Sequence, residues 1–199
     1  MRARVLFSGG KDSSLAALLL DPFYDVTLVH AGFGVGEAAG YAADTAAALG
    51  FPFERLELPD EVADEAVTRL REDGFPRNGI QTVHEAALKA AAADDADAVA
   101  DGTRRDDRVP TVSRAWAQSL EERHGVDYLS PLAGFGREAV DRLVEATLEV
   151  EEGPARELNK GDYGAELREL VGDADAEARV EDIFPERVQT RVTGRRRGR

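Results

Sequence analysis

The amino-acid sequence predicts an α/β protein, a doubly wound open parallel sheet of about five strands with a small C-terminal extension. Short apolar runs alternate with helical patterns, which is typical of right-handed β-α-β units. The chain has 199 residues, a length that suits one domain with an appendage. Its composition, 43% apolar and 32% charged, is that of a globular protein.

Five apolar runs of strand length are followed by turn-forming residues, and we predict each of them to be a strand. The second run is rich in Val, Leu and Thr and ends at a glycine cluster. The third alternates apolar and charged residues, so we expect it near an edge of the sheet. The runs lie at residues 4–8, 25–31, 53–58 and 98–100 and begin again at residue 128.

Helical patterns separate these strands. Asp21-Pro22 ends the first pattern, and Gly50 and Gly74 follow two others, as expected at helix ends. The predicted helices lie at residues 12–20, 37–49, 60–73, 78–94, 111–124 and 136–149. After Gly153 the pattern weakens to a short helix at residues 159–171 and a polar strand at 187–194. We therefore predict a main domain over residues 1–150 and, over residues 151–199, a C-terminal extension with an Arg-rich tail.

The charge is strongly acidic and unevenly spread. Asp and Glu number 39 against 25 Lys and Arg, a net charge of −14, and Lys occurs only at positions 11, 89 and 160. Many carboxylates with little Lys indicate a halophilic archaeon, with a mildly acidic surface in an ordinary cell as the alternative. The tail, residues 187–199, holds six Arg and no acid. Only the tail is therefore expected to attract nucleic acid, unless it is a solubilising or disordered end.

Several classes of function are excluded by composition. The chain has no Cys, which excludes disulfides, thiolate zinc sites, iron–sulfur ligation and a catalytic thiol on this chain. No apolar run reaches the roughly 18 residues of a membrane span. The N-terminal run turns polar at Ser8, too early for a signal peptide. We expect a cytoplasmic protein with no membrane partner.

The segment Ser8-Gly9-Gly10-Lys11-Asp12-Ser13-Ser14 links the first strand to the first helix. Glycines let the backbone turn sharply and approach a ligand closely. The helix start directs unpaired N–H groups and partial positive charge at the same point, and the serines and Lys11 add donors. We predict that residues 8–14 bind phosphate. A Gly-Gly turn capped by polar residues is the alternative.

A second polar segment, Asp101-Gly102-Thr103-Arg104-Arg105-Asp106-Asp107-Arg108, follows the fourth predicted strand. Ligands of open parallel sheets bind at the carboxyl ends of the strands, so both segments should face one crevice. Adjacent carboxylates beside phosphate oxygens suit Mg²⁺, with Asp12, Asp106 and Asp107 as candidate ligands and Asp107 the first choice. Arg104, Arg105 or Arg108 would neutralise phosphate charge. The alternative is a solvated charged loop.

The motif at residues 8–14 resembles the S-G-G-x-D-S signature of PP-loop ATP pyrophosphatases, a superfamily of adenine nucleotide α-hydrolase-like proteins. Residues 78–92 with 101–110 also look like small archaeal PP-loop proteins. The resemblance implies that ATP and Mg²⁺ bind at residues 8–14, with Gly102, Thr103 and Arg104 completing the phosphate site. It also implies that Lys11, Asp12 and Asp107 serve in catalysis. His30, Ala31 and Gly32 would contact adenine, although His30 is equally well explained as a packed core histidine.

The resemblance implies adenylation: an oxygen of an acid or carbonyl substrate attacks the α-phosphorus of ATP, pyrophosphate leaves, and a nitrogen or sulfur nucleophile then displaces AMP. Amidation or thiolation, including tRNA modification through the Arg-rich tail, would follow. A separate protein would supply sulfur, and ammonia would come free or from a separate subunit. Two alternatives stay open: a non-catalytic adenine-nucleotide-binding regulatory module, and an RNA-binding accessory protein with a structural ATP site. Gly134-Phe135-Gly136 also begins a G-x-G-x-x-A match, which we interpret as a tight turn before a helix.

Overall fold

The computed structural model describes residues 1–93, 95–154, 158, 161–174, 180–185 and 188–196. At its centre is a parallel sheet with the strand order β3-β2-β1-β4-β5. The strands are β1 (Arg2–Leu6), β2 (Asp25–Gly32), β3 (Phe53–Glu57), β4 (Ala98–Ala100) and β5 (Asp127–Leu129). The predicted doubly wound parallel sheet is confirmed, and β3 lies at its edge as its alternating pattern indicated.

Helices cover both faces of the sheet. They are α1 (Lys11–Leu20), α2 (Ala38–Leu49), α3 (Asp60–Asp73), α4 (Arg77–Ala92), α5 (Arg114–His124), α6 (Arg137–Thr147), α7 (Tyr163–Ala174) and α8 (Val180–Ile183). One apolar core joins α1, α2 and α6 to the sheet, and the other joins α3, α4, α5 and α7 to its opposite face. Among the described residues, no helix has both the length and the apolarity needed to cross a lipid bilayer.

Two helices begin later than the sequence predicted because a polar side chain caps each of them. The Ser113 hydroxyl accepts a hydrogen bond from the Trp116 N–H at 3.2 Å, so α5 begins at Arg114 rather than at residue 111. The Asp162 carboxylate accepts one from the Ala165 N–H at 3.0 Å just before α7. The first two residues of the helix predicted at 159–171 lie outside the described residues.

The C-terminal part forms an antiparallel hairpin of β6 (Leu148–Pro154) and β7 (Val188–Arg195). The helix predicted over residues 136–149 ends at Thr147 because Leu148 and Val150 alternate with Glu149 and Glu151, which is a strand pattern. Strand β6 therefore runs through residue 150, where we placed the domain boundary.

The hairpin packs against α1 and α2, and its residues Leu148 and Val192 are buried in the core that those helices share. The polar strand predicted at residues 187–194 is present as β7, and its residue Val192 is buried. Arg187 and residues 197–199 of the Arg-rich tail lie outside the described residues.

The strand order places β1 beside β4, with Val5 opposite Ala100. From β1 the chain returns through α1 to β2 on one side, and from β4 it continues through α5 to β5 on the other. The connections thus diverge at the carboxyl ends of β1 and β4, where open parallel sheets bind their ligands.

Candidate functional site

A cleft of about 280 Å³ opens where β1 and β4 end. Ser8, Asp12 and Ser13 line it from the first predicted segment, and Gly102, Thr103 and Asp107 from the second. The structure therefore brings the two segments together, as their positions after neighbouring strands predicted. This volume is near the lower end of the roughly 300–1,000 Å³ of small-molecule sites.

The loop between β1 and α1 is shaped for an anion at its helix end. Gly9 has a φ of 74°, a conformation that favours glycine. Gly10 precedes α1 in an extended conformation, and none of the described side chains caps the helix. Within the described part of the chain, the first N–H groups of α1 therefore have no intrahelical or side-chain partner. The Ser13 hydroxyl bridges the loop, since it accepts from the Ser8 N–H at 3.4 Å and donates to the Gly10 carbonyl at 3.2 Å.

Two segments from the C-terminal part of the chain form backbone hydrogen bonds with this loop. The Val192 N–H donates to the Gly9 carbonyl at 3.0 Å, and the Gly161 N–H donates to the Ser8 carbonyl at 2.9 Å. The Thr45 hydroxyl donates to the Val192 carbonyl at 3.2 Å. Gly9 and Gly10 are buried as a result, and the cleft meets the loop at its serines and at Asp12.

Two other residues of the predicted phosphate loop do not line the cleft. The Lys11 ammonium lies 2.9 Å from Asp12 Oδ1 and 3.3 Å from Asp141 Oδ1, which holds it between α1 and α6. Ser14 is fully buried, and its hydroxyl has no hydrogen-bond partner among the described residues.

Gly102 and Arg104 connect the second segment to the first. A Cβ on Gly102 would lie 2.6 Å from the Ser13 amide nitrogen, so only glycine permits this contact with the start of α1. The Asp107 carboxylate accepts hydrogen bonds from the Arg104 amide at 2.8 Å and from its Nη2 at 2.7 Å. Arg104 Nε lies 3.9 Å from Asp12 Oδ2. These carboxylates, Asp107 first, raise the pKa of the Arg104 guanidinium.

The predicted metal ligands are separated by that guanidinium. Asp12 and Asp107 flank Arg104, and Asp106 is exposed. In the described part of the chain, no three His, Cys, Asp or Glu side chains are grouped to bind one metal ion. Mg²⁺ commonly uses one or two carboxylates with phosphate oxygens and waters. Asp12 and Asp107 fit it only in that form, with phosphate supplying further ligands.

The three residues predicted at the adenine face different sides of the sheet. Ala31 lines the cleft, whereas His30 and Gly32 line a second cavity of about 650 Å³ near α2. His30 is buried, with Nε2 4.0 Å from Glu166 Oε1. The other oxygen of Glu166 accepts the Phe33 N–H at 3.0 Å. His30 and Gly32 therefore pack against α7 instead of the cleft.

Sequence reasoning missed a buried polar network in the wall of the cleft. Asp101 accepts hydrogen bonds from Tyr128 and His84, both at 2.9 Å to Oδ2, and from the Thr103 amide and hydroxyl at 2.9 and 2.6 Å to Oδ1. His84 Nδ1 lies 3.4 Å from the Tyr163 hydroxyl on α7. His84, Asp101 and Tyr163 all line the cleft.

The environment of this network shifts the pKa values of Asp101 and of its two tyrosines. Burial alone would raise the pKa of Asp101, but the bond and charge of His84 and the bonds from Thr103 outweigh it and lower that pKa. Burial, reinforced by the Asp101 charge, raises the pKa of Tyr128 and of Tyr163. Asp101 is therefore a carboxylate surrounded by the Tyr128 phenol, the His84 imidazole and the Thr103 amide and hydroxyl.

One sequence feature points to this network: Asp101 is the first polar residue after a buried strand. His84 lies on the buried face of α4, as a core histidine would, and nothing in the sequence near Tyr163 indicates that α7 folds back over the cleft.

Comparison with known proteins gives full-length matches in both sequence and structure. An uncharacterized protein of Methanocaldococcus jannaschii, MJ0690, is 39% identical over 195 residues, 98% of this chain and 96% of its own length. A crystal structure from the same species, described as a predicted subunit of tRNA methyltransferase, has a TM-score of 0.89 and 38% identity and covers both chains completely.

A U34-tRNA thiolase from Methanococcus maripaludis, solved with its [4Fe-4S] cluster, is 17% identical over 73% of this chain and 56% of its own. Its TM-score of 0.42 does not establish a shared fold. The sequence matches one family model over residues 1–194, and the chain thus belongs to DUF7411, a family of unknown function.

Proposed function

We propose that this protein binds ATP with Mg²⁺ in the cleft between β1 and β4 and activates a substrate as its adenylate, with release of pyrophosphate, in tRNA modification. The observation that carries the proposal is the convergence, at one cleft, of the uncapped start of α1, the Ser8 and Ser13 side chains and the carboxylates of Asp12 and Asp107. The Arg104 guanidinium lies beside the cleft, paired with both carboxylates. The resemblance to PP-loop ATP pyrophosphatases supports the reaction. The relative described as a predicted subunit of tRNA methyltransferase supports tRNA as the context.

In this proposal each element of the cleft has one role. The α1 amides with Ser8 and Ser13 hold the β,γ-diphosphate. The Arg104 guanidinium moves away from its carboxylate partners and stabilises the charge that develops on the leaving pyrophosphate. Ala31 leaves room for the adenine. Asp12 and Asp107 would hold Mg²⁺, which would neutralise triphosphate charge when bound.

The reaction begins when an oxygen of an acid or carbonyl substrate attacks the α-phosphorus, and the bond from that phosphorus to pyrophosphate breaks. An external nitrogen or sulfur nucleophile then displaces AMP from the adenylate. Because the chain has no Cys, sulfur would come from a separate donor protein, and nitrogen would come from a donor protein or from free ammonia.

Nucleotide affinity tests the site. Titration calorimetry with MgATP should show at least about tenfold weaker binding for Asp12→Ala and Lys11→Ala, a loss of about 1.4 kcal/mol each. Lys11 does not line the cleft, and its loss acts through the Asp12 carboxylate, which its ammonium holds at 2.9 Å. Lys89→Ala is the matched control, because Lys89 lies on α4 with its ammonium 5.9 Å from the centre of the Trp116 ring. Equal affinity in all three variants would remove the assignment of residues 8–14.

Turnover tests the reaction. Pyrophosphate and AMP are measured with ATP, Mg²⁺ and either total tRNA or a panel of small carboxylic acids. The acidic composition calls for a KCl series, since salt screens the self-repulsion of a chain with a charge of −14. Formation of AMP and pyrophosphate only with a second substrate supports adenylation, whereas ADP as the product contradicts it.

A second candidate function is that of a non-catalytic subunit of a tRNA-modifying assembly with a structural or regulatory nucleotide. The burial of Gly9 and Gly10 beneath the C-terminal hairpin favours it, and so does the description of the full-length relative as a subunit. Stable occupancy by ATP without turnover would identify this role.

A further inference from the structure

Five arginines at the mouth of the cleft form what we call the arginine rim. All five are exposed, and none makes a hydrogen bond or ion pair with any residue that the structure describes. They are Arg77, Arg105, Arg108, Arg114 and Arg137. The chain has 39 acidic residues against 25 basic ones, yet none of these five side chains is paired with a described carboxylate.

The topology gathers these residues from three helix starts and one loop. Arg114 and Arg137 begin α5 and α6, which start at the carboxyl edge of the sheet because they follow β4 and β5. Arg105 reaches the start of α6, with Nη2 3.5 Å from where a Cβ on Gly136 would lie. Arg108 lies in the same loop as Arg105, three residues further along the chain.

Arg77 begins α4, whose first turns reach the same edge. The Gln81 side chain exchanges hydrogen bonds of 2.8 and 2.9 Å with the backbone of Thr111, and Ile80 lines the cleft. The rim therefore follows the β4 and β5 side of the cleft mouth.

Nearby acids do not neutralise the rim. The Asp107 carboxylate is bound to Arg104, Glu138 to Arg142, and Asp141 to Lys11. Asp106 is exposed and is the remaining carboxylate of the loop. Helix stability does not account for the rim either, because a cation at a helix N-terminus is unfavourable for the helix dipole.

We propose that the arginine rim binds the phosphate backbone of RNA and guides one nucleotide of it to the cleft. This inference rests on the proposed function for its choice of tRNA as the partner. Exposed guanidinium groups suit phosphate because they contact it bidentately, and backbone contacts position a nucleic acid on a protein. The acidic remainder of the surface repels RNA and so restricts binding to this edge.

The test compares two matched double variants. Arg114→Gln/Arg137→Gln removes two rim charges, and Arg55→Gln/Arg123→Gln removes two exposed, unpaired arginines elsewhere. Binding of fluorescein-labelled total tRNA is followed by anisotropy across a KCl series without nucleotide. The rim variant should bind tRNA about tenfold more weakly at the lowest salt. Its plot of log K against log salt should be less steep than that of the wild type, by about 1.5. The control should match the wild type.

Three results would overturn the proposal: equal tRNA binding by both double variants, no binding by the wild type, or competition by polyglutamate as effective as that by unlabelled tRNA. The last would indicate an acidic protein as the partner. MgATP affinity is measured in parallel and should be unchanged in both variants. Rim-dependent tRNA binding without pyrophosphate release would refute the adenylation reaction and leave the RNA surface standing.

Discussion

Strand β7 and the mouth of the cleft are both rich in arginine, but the fold uses the two regions in opposite ways. In the C-terminal segment, Arg191 pairs with Glu151 at 2.8 Å, and Arg195 pairs with Asp21 at 3.3 Å and lies over a phenyl ring. Arg196 Nε donates to the Leu148 carbonyl at 2.9 Å. At the cleft mouth, five exposed arginines have no such partners among the described residues.

The contrast shows that the density of charge along a sequence does not reveal which charged side chains remain available to bind a partner. The run of arginines in residues 187–199 predicted attraction of nucleic acid there, with a solubilising or disordered end as the alternative. Of the three whose side chains are described, Arg191 and Arg196 contact β6 and Arg195 contacts the end of α1. The rim arginines are spread between positions 77 and 137 and form no visible run. Only the β-α-β topology brings them to one edge.

The largest effect on the free energy of unfolding is expected from deletion of residues 188–199. This removes β7, exposes Leu148, takes Val192 out of the core and breaks its bond to Gly9. We expect a loss comparable to the whole stability of a domain, about 5–15 kcal/mol. Circular dichroism should show no cooperative urea transition.

A stop codon after Arg196 is the control for that deletion, because it removes only residues 197–199 and leaves β7 whole. It should unfold like the wild type. A folded protein after the longer deletion would show that the C-terminal arginines are not part of the fold and would reopen the tail as an RNA contact.

The next effect is expected from Asp101→Asn, at the root of the loop that carries Arg105 and Arg108. The change removes the charge of a buried acceptor of four hydrogen bonds, and an unsatisfied buried polar group typically costs about 1–3 kcal/mol, and more beside a charged group. Because folding lowers the pKa of Asp101, its contribution is fully present above the unfolded value of about 3.9 and is lost as pH falls through the folded pKa. The gap between the urea midpoints of variant and wild type should therefore stay constant from pH 7 to about pH 4 and narrow towards pH 3.

Asp106→Asn is the control for this comparison, since Asp106 is an exposed neighbour in the same loop. It should shift the urea midpoint little at any pH. A constant gap between Asp101→Asn and wild type at every pH would contradict the role given to the Asp101 charge.

The main features of the fold follow from the sequence because they depend on local patterns. Alternating apolar runs and capped helices predicted the parallel sheet and most of its helices. The Ser8–Ser14 segment and the loop after β4 were both expected at one crevice, since each follows a strand that ends there. Local patterns therefore suffice where a site is made of residues next to strand ends.

The rest of the site depends on contacts between distant residues, which local patterns do not encode. Tyr163 and Gly161 reach the cleft because α7 folds back across the sheet. The Val192–Gly9 bond joins residues near opposite ends of the chain. His30 and Ala31 were grouped in sequence, but successive residues of a strand face opposite sides of a sheet, so only Ala31 reaches the cleft.

A smaller effect on the free energy of unfolding is expected where residues 8–14 contact the loop after β4. Gly102→Ala places a methyl group 2.6 Å from the Ser13 amide nitrogen, and that backbone must shift. Overpacking of this kind typically costs about 1–3 kcal/mol, and the displaced start of α1 should also weaken MgATP binding. Gly134→Ala is the control because its methyl group meets nothing within 4 Å. Equal stability of both variants in urea would contradict the close contact.

The smallest effect is expected from Arg191→Gln and Arg195→Gln, which test β7 directly against the rim. Both ion pairs are partly exposed, and such pairs contribute about 0–1 kcal/mol. We expect urea midpoints close to wild type and unchanged binding of labelled total tRNA, because these side chains face their partners within the fold. Arg114→Gln, a single exposed arginine of the rim, is the comparison and should weaken tRNA binding. Weaker binding by the β7 variants than by Arg114→Gln would move the RNA surface to the hairpin and reverse the assignment of the two regions.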